Sequence, residues 1–270
     1  MSEAVKTLSP EYKEALVELL FQLADDDFLF AYRGSEWLGL APHIEEDVAS
    51  SSISQDSMGH AAMFYSLLEE LGLGKVDDLA HARPAHERKN SILVERVNGP
   101  GHYMSDAQYD WAYAVVRNYF YTQAKKVKID SLKQSTYGPL AEVAVKVNME
   151  LYYHLLHWKT WFVQLLSTTE EAKKRMMQAM DKVMNDFDDV FSLGQHAEQI
   201  KQFGLIEEES ALKEKWAASL APVFESLDLE IPKKTSSQSQ NGRNGEHTEE
   251  LNDALSTLGE VYNLDPVAPW

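Results

Sequence analysis

Asp56-Ser57-Met58-Gly59-His60 and Glu150-Leu151-Tyr152-Tyr153-His154 are the two segments on which the reading of this chain turns. Each places a carboxylate four residues before a histidine, which puts both on one face if the segment is helical. A carboxylate-bridged dinuclear metal centre in a four-helix bundle uses one Glu-x-x-His from each of two helices and a lone Glu from each of the other two. Here the histidines stand, but Ser57 and Leu151 occupy the places three residues before them. A metal-centred enzyme and a relative that has lost its metal are the two readings to separate.

Both segments lie in long stretches with helical spacing of apolar residues. The second belongs to a helix expected from Leu140 to Leu166, restarted after a break at Tyr137-Gly138-Pro139. The first belongs to a helix expected from His43, with Ile44, Val48, Ile53, Met58, Ala62, Tyr65 and Leu68 on a broad face, stopped by Gly72-Leu73-Gly74. Ahead of it, Ser9 as N-cap with Pro10 and Glu11 opens a helix ending near Tyr32. A mixed connection over 77–103, in which Ser91-Ile92-Leu93-Val94-Glu95 leaves a short strand open, leads to a helix from Asp106 to Leu132. Thr168-Thr169-Glu170-Glu171 caps another, a further one covers 207–227, and a last short helix begins at His247 and ends before Pro266. No fixed-period repeat and no convincing strand alternation is present, so the class is all-α. Lys233 to Gly245, rich in Ser, Gln, Asn and Gly, reads as a flexible linker or mobile loop. The expected organisation is a helical bundle over 1–232, that linker at 233–245, and a helical tail over 246–270 packing on the bundle or on a partner.

With 44% hydrophobic and 25% charged residues, the 270-residue chain has ample material for one buried core. Its net charge of −18 repels nucleic-acid backbones and anionic membrane surfaces, so neither is expected as a partner. The absence of cysteine rules out disulfides, thiolate zinc sites and cysteine nucleophiles, leaving histidine and carboxylate as the strong ligands. The first six residues lack a basic patch before an apolar run, and no apolar stretch approaches the ~20 residues of a membrane span. The expectation is a soluble, cytoplasmic protein.

Glu150, His154 and His157 follow one another at i, i+4 and i+7, so one helical face could carry a site. The same spacing suits structural histidines hydrogen-bonded in an aromatic core formed with Tyr152, Tyr153, Trp158 and Trp161, and both readings stay open. Asp56 and His60 repeat the relation, with Glu36 and Asp110 as the nearest further carboxylates. Lys125-Lys126-Val127-Lys128 is the densest basic run: either a solvated helix face, or a patch for an acidic partner or for phosphates. No glycine-rich phosphate loop and no strand-turn-helix nucleophile elbow is present.

Leu23-Ala24-Asp25-Asp26-Asp27, Ser35-Glu36-Trp37-Leu38-Gly39-Leu40-Ala41-Pro42-His43-Ile44-Glu45-Glu46-Asp47 and Gln55-Asp56-Ser57-Met58-Gly59-His60-Ala61 together resemble the structural subunit of bacterial ring 1,2-phenylacetyl-CoA epoxidases. Asp77-Asp78-Leu79-Ala80, Leu93-Val94-Glu95-Arg96-Val97-Asn98-Gly99, the segment Glu150 to Trp158, Gly245-Glu246-His247-Thr248-Glu249 and the terminal Trp270 fit the same family. The resemblance extends over nearly the whole chain and rests on the order and spacing of these segments.

It implies a ferritin-like four-helix bundle with extra C-terminal helices, acting as a non-catalytic scaffold in a multicomponent monooxygenase that epoxidises the aromatic ring of phenylacetyl-CoA during aerobic phenylacetate degradation. The implied partners are a homologous di-iron catalytic subunit, a small bridging subunit, and a reductase that brings electrons from NADPH through flavin and iron–sulfur centres. The chain itself is expected to hold no cofactor and to have no catalytic residues. Laid against the catalytic pattern, the second-helix Glu and His fall on Ser57 and His60, and the fourth-helix pair on Leu151 and His154. The third-helix Glu falls at Tyr121 or Thr122, and the first-helix ligand at Glu36. These six positions (Glu36, Ser57, His60, Tyr121, Leu151 and His154) are then a vestigial metal site, and Lys125, Lys126 and Lys128 are candidate contacts to CoA or a partner. The rival from another class is an independent ferritin-like metalloenzyme using Asp56, His60, Glu150 and His154. A third is a stand-alone acyl-CoA-binding protein.

Overall fold

The computed structural model describes residues 8–233 and 240–268. Ten α-helices form among them: α1 (Pro10–Ser35), α2 (Ile44–Glu70), α3 (Val76–His81), α4 (Ile92–Glu95), α5 (Trp111–Leu132), α6 (Gly138–Thr168), α7 (Glu170–Asn185), α8 (Ala197–Gln202), α9 (Glu209–Ser226) and α10 (Glu249–Gly259). No β-strand forms among the described residues, and the fold is all-α of ferritin-like type. The four longest helices, α1, α2, α5 and α6, run 26, 27, 22 and 31 residues. None of the described helices is long and apolar enough to cross a membrane.

Local signals set most helix ends. Ser9 caps α1 by accepting from the Tyr12 N–H at 3.2 Å, with Pro10 in the first turn. Asp110 caps α5 through the Tyr113 N–H, also at 3.2 Å, so this helix starts at Trp111 and not at Asp106 as the spacing suggests. Thr169 caps α7. α1 runs past its expected end at Tyr32 and includes Gly34, where an added Cβ would collide with Ser54 Oγ on α2. Glycine is needed there for close approach of the two helices, and it does not terminate the first. The segment 91–95, open to a strand by sequence, is the single turn α4. The Ser91 N–H is taken by the Asp26 carboxylate at 2.7 Å and is not available to a ladder.

The chain divides into two compact units. One holds α1–α4, α8 and α10, with α1 packed on α2, α4, α8 and α10. Its core contains three consecutive buried aspartates of α1. Asp25 accepts from Tyr65 Oη at 2.5 Å, from Arg88 Nη1 at 3.3 Å, from the Lys89 N–H at 2.9 Å, and from Arg83. Burial alone would lift the Asp25 carboxyl, but Arg83 and Arg88 outweigh it and hold the group below its ordinary value. Asp26 receives Arg243 in a two-pronged pair, at 2.9 and 2.8 Å. Arg243 also donates to the Lys89 carbonyl at 2.7 Å and is fully buried.

Arg243 lies in the segment 233–245 for which composition suggested a linker. Residues 234–239 of that segment lie outside the described residues, as do 1–7 and 269–270, which include Trp270. The remainder is a tight 3-10 turn, Gly242–Asn244, seated so closely that a Cβ on Gly242 would strike the Asn90 carbonyl. Composition reports solvent preference averaged over a segment, whereas one arginine meeting a buried carboxylate fixes where this one goes. Just beyond, His247 Nδ1 faces Glu95 Oε2 at 2.7 Å and its Nε2 faces the Arg88 carbonyl at 3.0 Å. Both ring nitrogens thus face oxygen atoms, an arrangement that favours the protonated ring. Burial opposes the charge, but the hydrogen bond to and charge of Glu95 prevail, and the His247 pKa is raised above 6.5.

The other unit holds α5, α6, α7 and α9. α5 is buried nearly all round and packs on the other three. Its Phe120 sits in an aromatic cluster with Phe162 at 5.7 Å, Trp216 at 5.7 Å and Phe224 at 6.1 Å between ring centroids. Trp216 Nε1 donates to the Phe120 carbonyl at 3.1 Å, which ties α9 to α5. Arg117, also fully buried, donates to Asn98 Oδ1 at 2.6 Å.

Two outcomes follow for the first unit. Arg243→Ala leaves Asp26 without its counter-charge and lowers stability to urea by about 3–5 kcal/mol, whereas the paired replacement Asp26→Leu/Arg243→Met is much milder. Because His247 is raised in the folded state, its contribution is full below its unfolded value of 6.5 and is lost as pH rises through the folded pKa. Denaturation midpoints measured from roughly pH 5 to 9 should fall across that window, and His247→Gln should flatten the slope.

Candidate functional site

The residues singled out by sequence fall into two sets, one in each unit. In the first unit, the buried face of α2 carries Ser50, Ile53, Ser57, His60, Ala61 and Phe64. Ser57 and His60 are fully buried one turn apart, and Ser57 Oγ has no hydrogen-bond partner. Asp56 lies beside them, half-buried. Glu36, just after α1, is buried, but its carboxylate is bound by Arg33 Nη1 at 2.9 Å. Arg33 in turn donates to the carbonyls of Glu95 at 2.9 Å and Glu250 at 3.0 Å. The Glu36 charge is thus balanced by a guanidinium that the fold holds in place.

In the second unit, α6 buries Leu140, Ala144, Val147, Leu151, His154, Trp158 and Phe162 at three- and four-residue steps. Leu151 and His154 therefore share the inner face, and α5 buries Tyr121 and Thr122, with Thr122 Oγ1 lacking a hydrogen-bond partner. Glu150 and His157 lie half-buried at the sides of α6, so the three-residue set Glu150, His154 and His157 is not gathered on one inward face. The aromatic core expected around these histidines is likewise redistributed. Trp158 is buried, but Tyr152 and Tyr153 are 64% and 70% exposed. The helix has one inward stripe, and those tyrosines lie outside its angular range.

The lysine run departs from both readings offered for it. Lys125 and Lys128 are buried, since α5 is covered on nearly its whole circumference. Lys126 is ion-paired with Asp130, which also receives Lys133 at 2.6 Å. Burial would raise the Asp130 carboxyl, but these two lysines hold it below its ordinary value. Lys126 borders a cavity of about 570 Å³ whose other charges are Asp130, Glu207 and Lys215, the last two paired with each other. Its charges balance, so it offers no surplus positive field to a phosphate.

Among the described residues, no group of three or more His, Asp or Glu side chains is arranged to hold a metal ion. The donors fit a di-metal centre poorly on their own chemistry. Two divalent cations need several carboxylates for charge as well as geometry, whereas three of the positions expected from the resemblance to hold ligands carry a serine, a leucine and a tyrosine, and at a fourth the glutamate is bound by an arginine. What the sequence reading did not anticipate is the Asp25, Asp26, Arg83, Arg88 and Arg243 network. Its one visible sign is a triplet of aspartates within an otherwise apolar helical pattern; the arginines come from two distant places in the chain, 83–88 and 243.

Leu151→Glu should place an unpaired carboxyl where a leucine is fully buried, with a loss of several kcal/mol. Its folded pKa would be raised, so the loss measured by thermal melting grows from roughly pH 5 to roughly pH 8. Added iron should give no rescue.

A family model described as phenylacetic acid catabolic protein matches residues 1–270. The chain is 27% identical over 256 residues to the C subunit of the 1,2-phenylacetyl-CoA epoxidase of Escherichia coli (strain K12), covering 94% of this chain and 99% of that one. It is 22% identical over 233 residues to the A subunit of the same epoxidase, covering 82% of this chain and 70% of that one. With its helices, its buried Ser57–His60 and Leu151–His154 pairs and a family match along its full length, this chain belongs to the phenylacetic acid catabolic protein family.

Proposed function

We propose that this chain is the non-catalytic scaffold subunit of a cytoplasmic multicomponent oxygenase acting on phenylacetyl-CoA. In this reading it pairs with a homologous di-iron subunit and stabilises that subunit's bundle. The redox groups belong to other components: iron to the catalytic homologue, flavin and iron–sulfur centres to an NADPH-dependent reductase, with a small bridging subunit completing the assembly. The observation that carries the reading is that Ser57 and Leu151, at positions where ligand carboxylates would be expected, are buried and uncharged, and that Glu36 is bound by Arg33. Similarity to two different subunits of one epoxidase supports a pairing of homologues. Lys125 and Lys128 are buried, so they are assigned a structural part and no contact with the CoA phosphates.

Co-expression with the di-iron homologue from the same genome tests the proposal. A stable complex in gel filtration is expected, with about two irons per pair, the number a dinuclear centre in one bundle requires. Separated subunits should show the iron on the homologue. Failure of the two chains to associate, or a full iron complement on this chain alone, would sink the scaffold assignment.

A further inference from the structure

The segment that follows Arg243 is held to the first unit by two histidines whose surroundings ask for opposite charge states. At its near end, His247 Nδ1 faces Glu95 Oε2 at 2.7 Å and Nε2 faces the Arg88 carbonyl at 3.0 Å. Loss of one proton would leave a ring lone pair pointed at an oxygen. At its far end, the Tyr262 ring stacks on His81 of α3 with centroids 5.5 Å apart, and its hydroxyl donates to Asp78. His81 donates to the Leu258 carbonyl of α10, but its Nδ1 is buried with no hydrogen-bond partner. A proton added there would create a charged N–H with nothing to accept it.

The neighbouring charges act in the same sense. His247 is met by Glu95 on α4 and by Asp25 on α1, and both favour its cation. His81 is met by Arg88, whose Nη2 donates to the adjoining Ala80 carbonyl at 2.6 Å, and by Asp77 on its own helix. Phe28 of α1 covers the His81 ring edge-on at 5.4 Å. Burial and the Arg88 charge outweigh the Leu258 bond and Asp77, so the His81 pKa is lowered below 6.5. Arg88 therefore serves both histidines, its carbonyl facing the charged one and its guanidinium opposing charge on the other.

Between the two histidines lies α10, an 11-residue helix that buries Leu251, Ala254 and Gly259. Its Glu250 accepts from the Val97 N–H at 2.7 Å and from Arg96, and its carbonyl at that residue from Arg33 at 3.0 Å. A short helix with a narrow buried face belongs to the low-stability part of a fold. Ahead of it, Arg243 keeps its charge at every relevant pH, so its pair with Asp26 stands as a fixed post. We propose that residues 247–264 form a pH-tuned clasp, held to α1, α3 and α4 while His247 is protonated and His81 neutral, and detaching locally when either changes charge. The His247 contribution is full below 6.5 and is lost as pH rises through its folded pKa. The His81 contribution is full above 6.5 and is lost as pH falls through its folded pKa. Attachment is firmest near the ordinary histidine value and weakens on either side.

The absence of cysteine from the chain allows a direct test. Ala254→Cys puts a thiol on the buried face of α10, Ser256→Cys one on its exposed face, and Ala15→Cys one on the buried face of α1. Each full-length variant is labelled with N-ethylmaleimide from roughly pH 5 to 9, and rates are divided by that of Ser256→Cys at the same pH to remove the ionisation of the thiol itself. Ala254→Cys should label slowest near pH 6.5 and about threefold faster or more at both extremes, while Ala15→Cys stays slow throughout. Adding His247→Gln should abolish the alkaline rise alone, and His81→Phe, which keeps the ring stack without a titrating group, the acid rise alone. Hydrogen exchange of the α10 amides in the wild-type chain, corrected for the intrinsic rate at each pH, reads the same opening without any substitution. A ratio flat in pH, a rise shared by Ala15→Cys, or a limb that survives its own histidine variant would overturn the proposal.

Discussion

The two-pronged pair between Asp26 on α1 and Arg243, far along the chain, is the constraint on which the first unit depends. Both groups are buried, so either alone would be untenable, and together with the Ser91 N–H they tie two distant segments to one point of α1. Asp25 performs the same service for Arg83, Arg88 and Tyr65, and Glu95 for Asn90, His247 and Thr248. Such a network contributes little net stability against an apolar alternative of the same shape, but it penalises every arrangement that leaves a charge unmatched. The C-terminal segment is placed by this requirement, with α10 following immediately after His247 and Thr248.

The same logic of charge bears on the positions that the resemblance assigns to metal ligands. A helical bundle that holds two metal ions must keep several carboxylates buried, and only the cations make that tolerable. Without the cations, the ligand carboxylates must be replaced or rebalanced. In the proposed reading Ser57 and Leu151 would be such replacements and the Arg33–Glu36 pair such a rebalancing; what the structure shows is that both residues are buried and uncharged and that Glu36 is bound by Arg33. His60 and His154 are each buried on the inner face of their helix.

Much of the fold was legible along the chain. Ser9-Pro10, Asp110 and Thr169 announce helix starts through capping chemistry that acts over three or four residues. The inward stripe of α6 follows from apolar periodicity, which also places Leu151 and His154 on a buried face. On α2 it misled: Ile44 and Val48, expected on the apolar face, are 74% and 66% exposed, while the polar Ser50, Ser57 and His60 are buried. Periodicity failed where a helix is apolar on more than one side or covered all round. On α6 it could not tell the outward Met149, Tyr152, Tyr153 and Leu156 from core residues. On α5 it could not show that Lys125 and Lys128 are buried. Gly34 stands just past the expected end of α1 at Tyr32, where a glycine often closes a helix, yet here it lies within α1 and serves the close contact with α2.

By itself, the sequence determined the all-α class, the long helices, the absence of any Glu-x-x-His at Ser57–His60 and Leu151–His154, and through its ordered segments the family. These are properties of neighbours along the chain or of residue chemistry, and they need no knowledge of distant contacts. Only the tertiary structure decided that Arg243 is an anchor within a segment of linker-like composition, that Glu36 is bound by arginine, and which apolar face of α6 is left to solvent. Those outcomes depend on which groups far apart in sequence come to share a low-dielectric interior, where an unmatched charge or an unburied stripe has a large free-energy consequence.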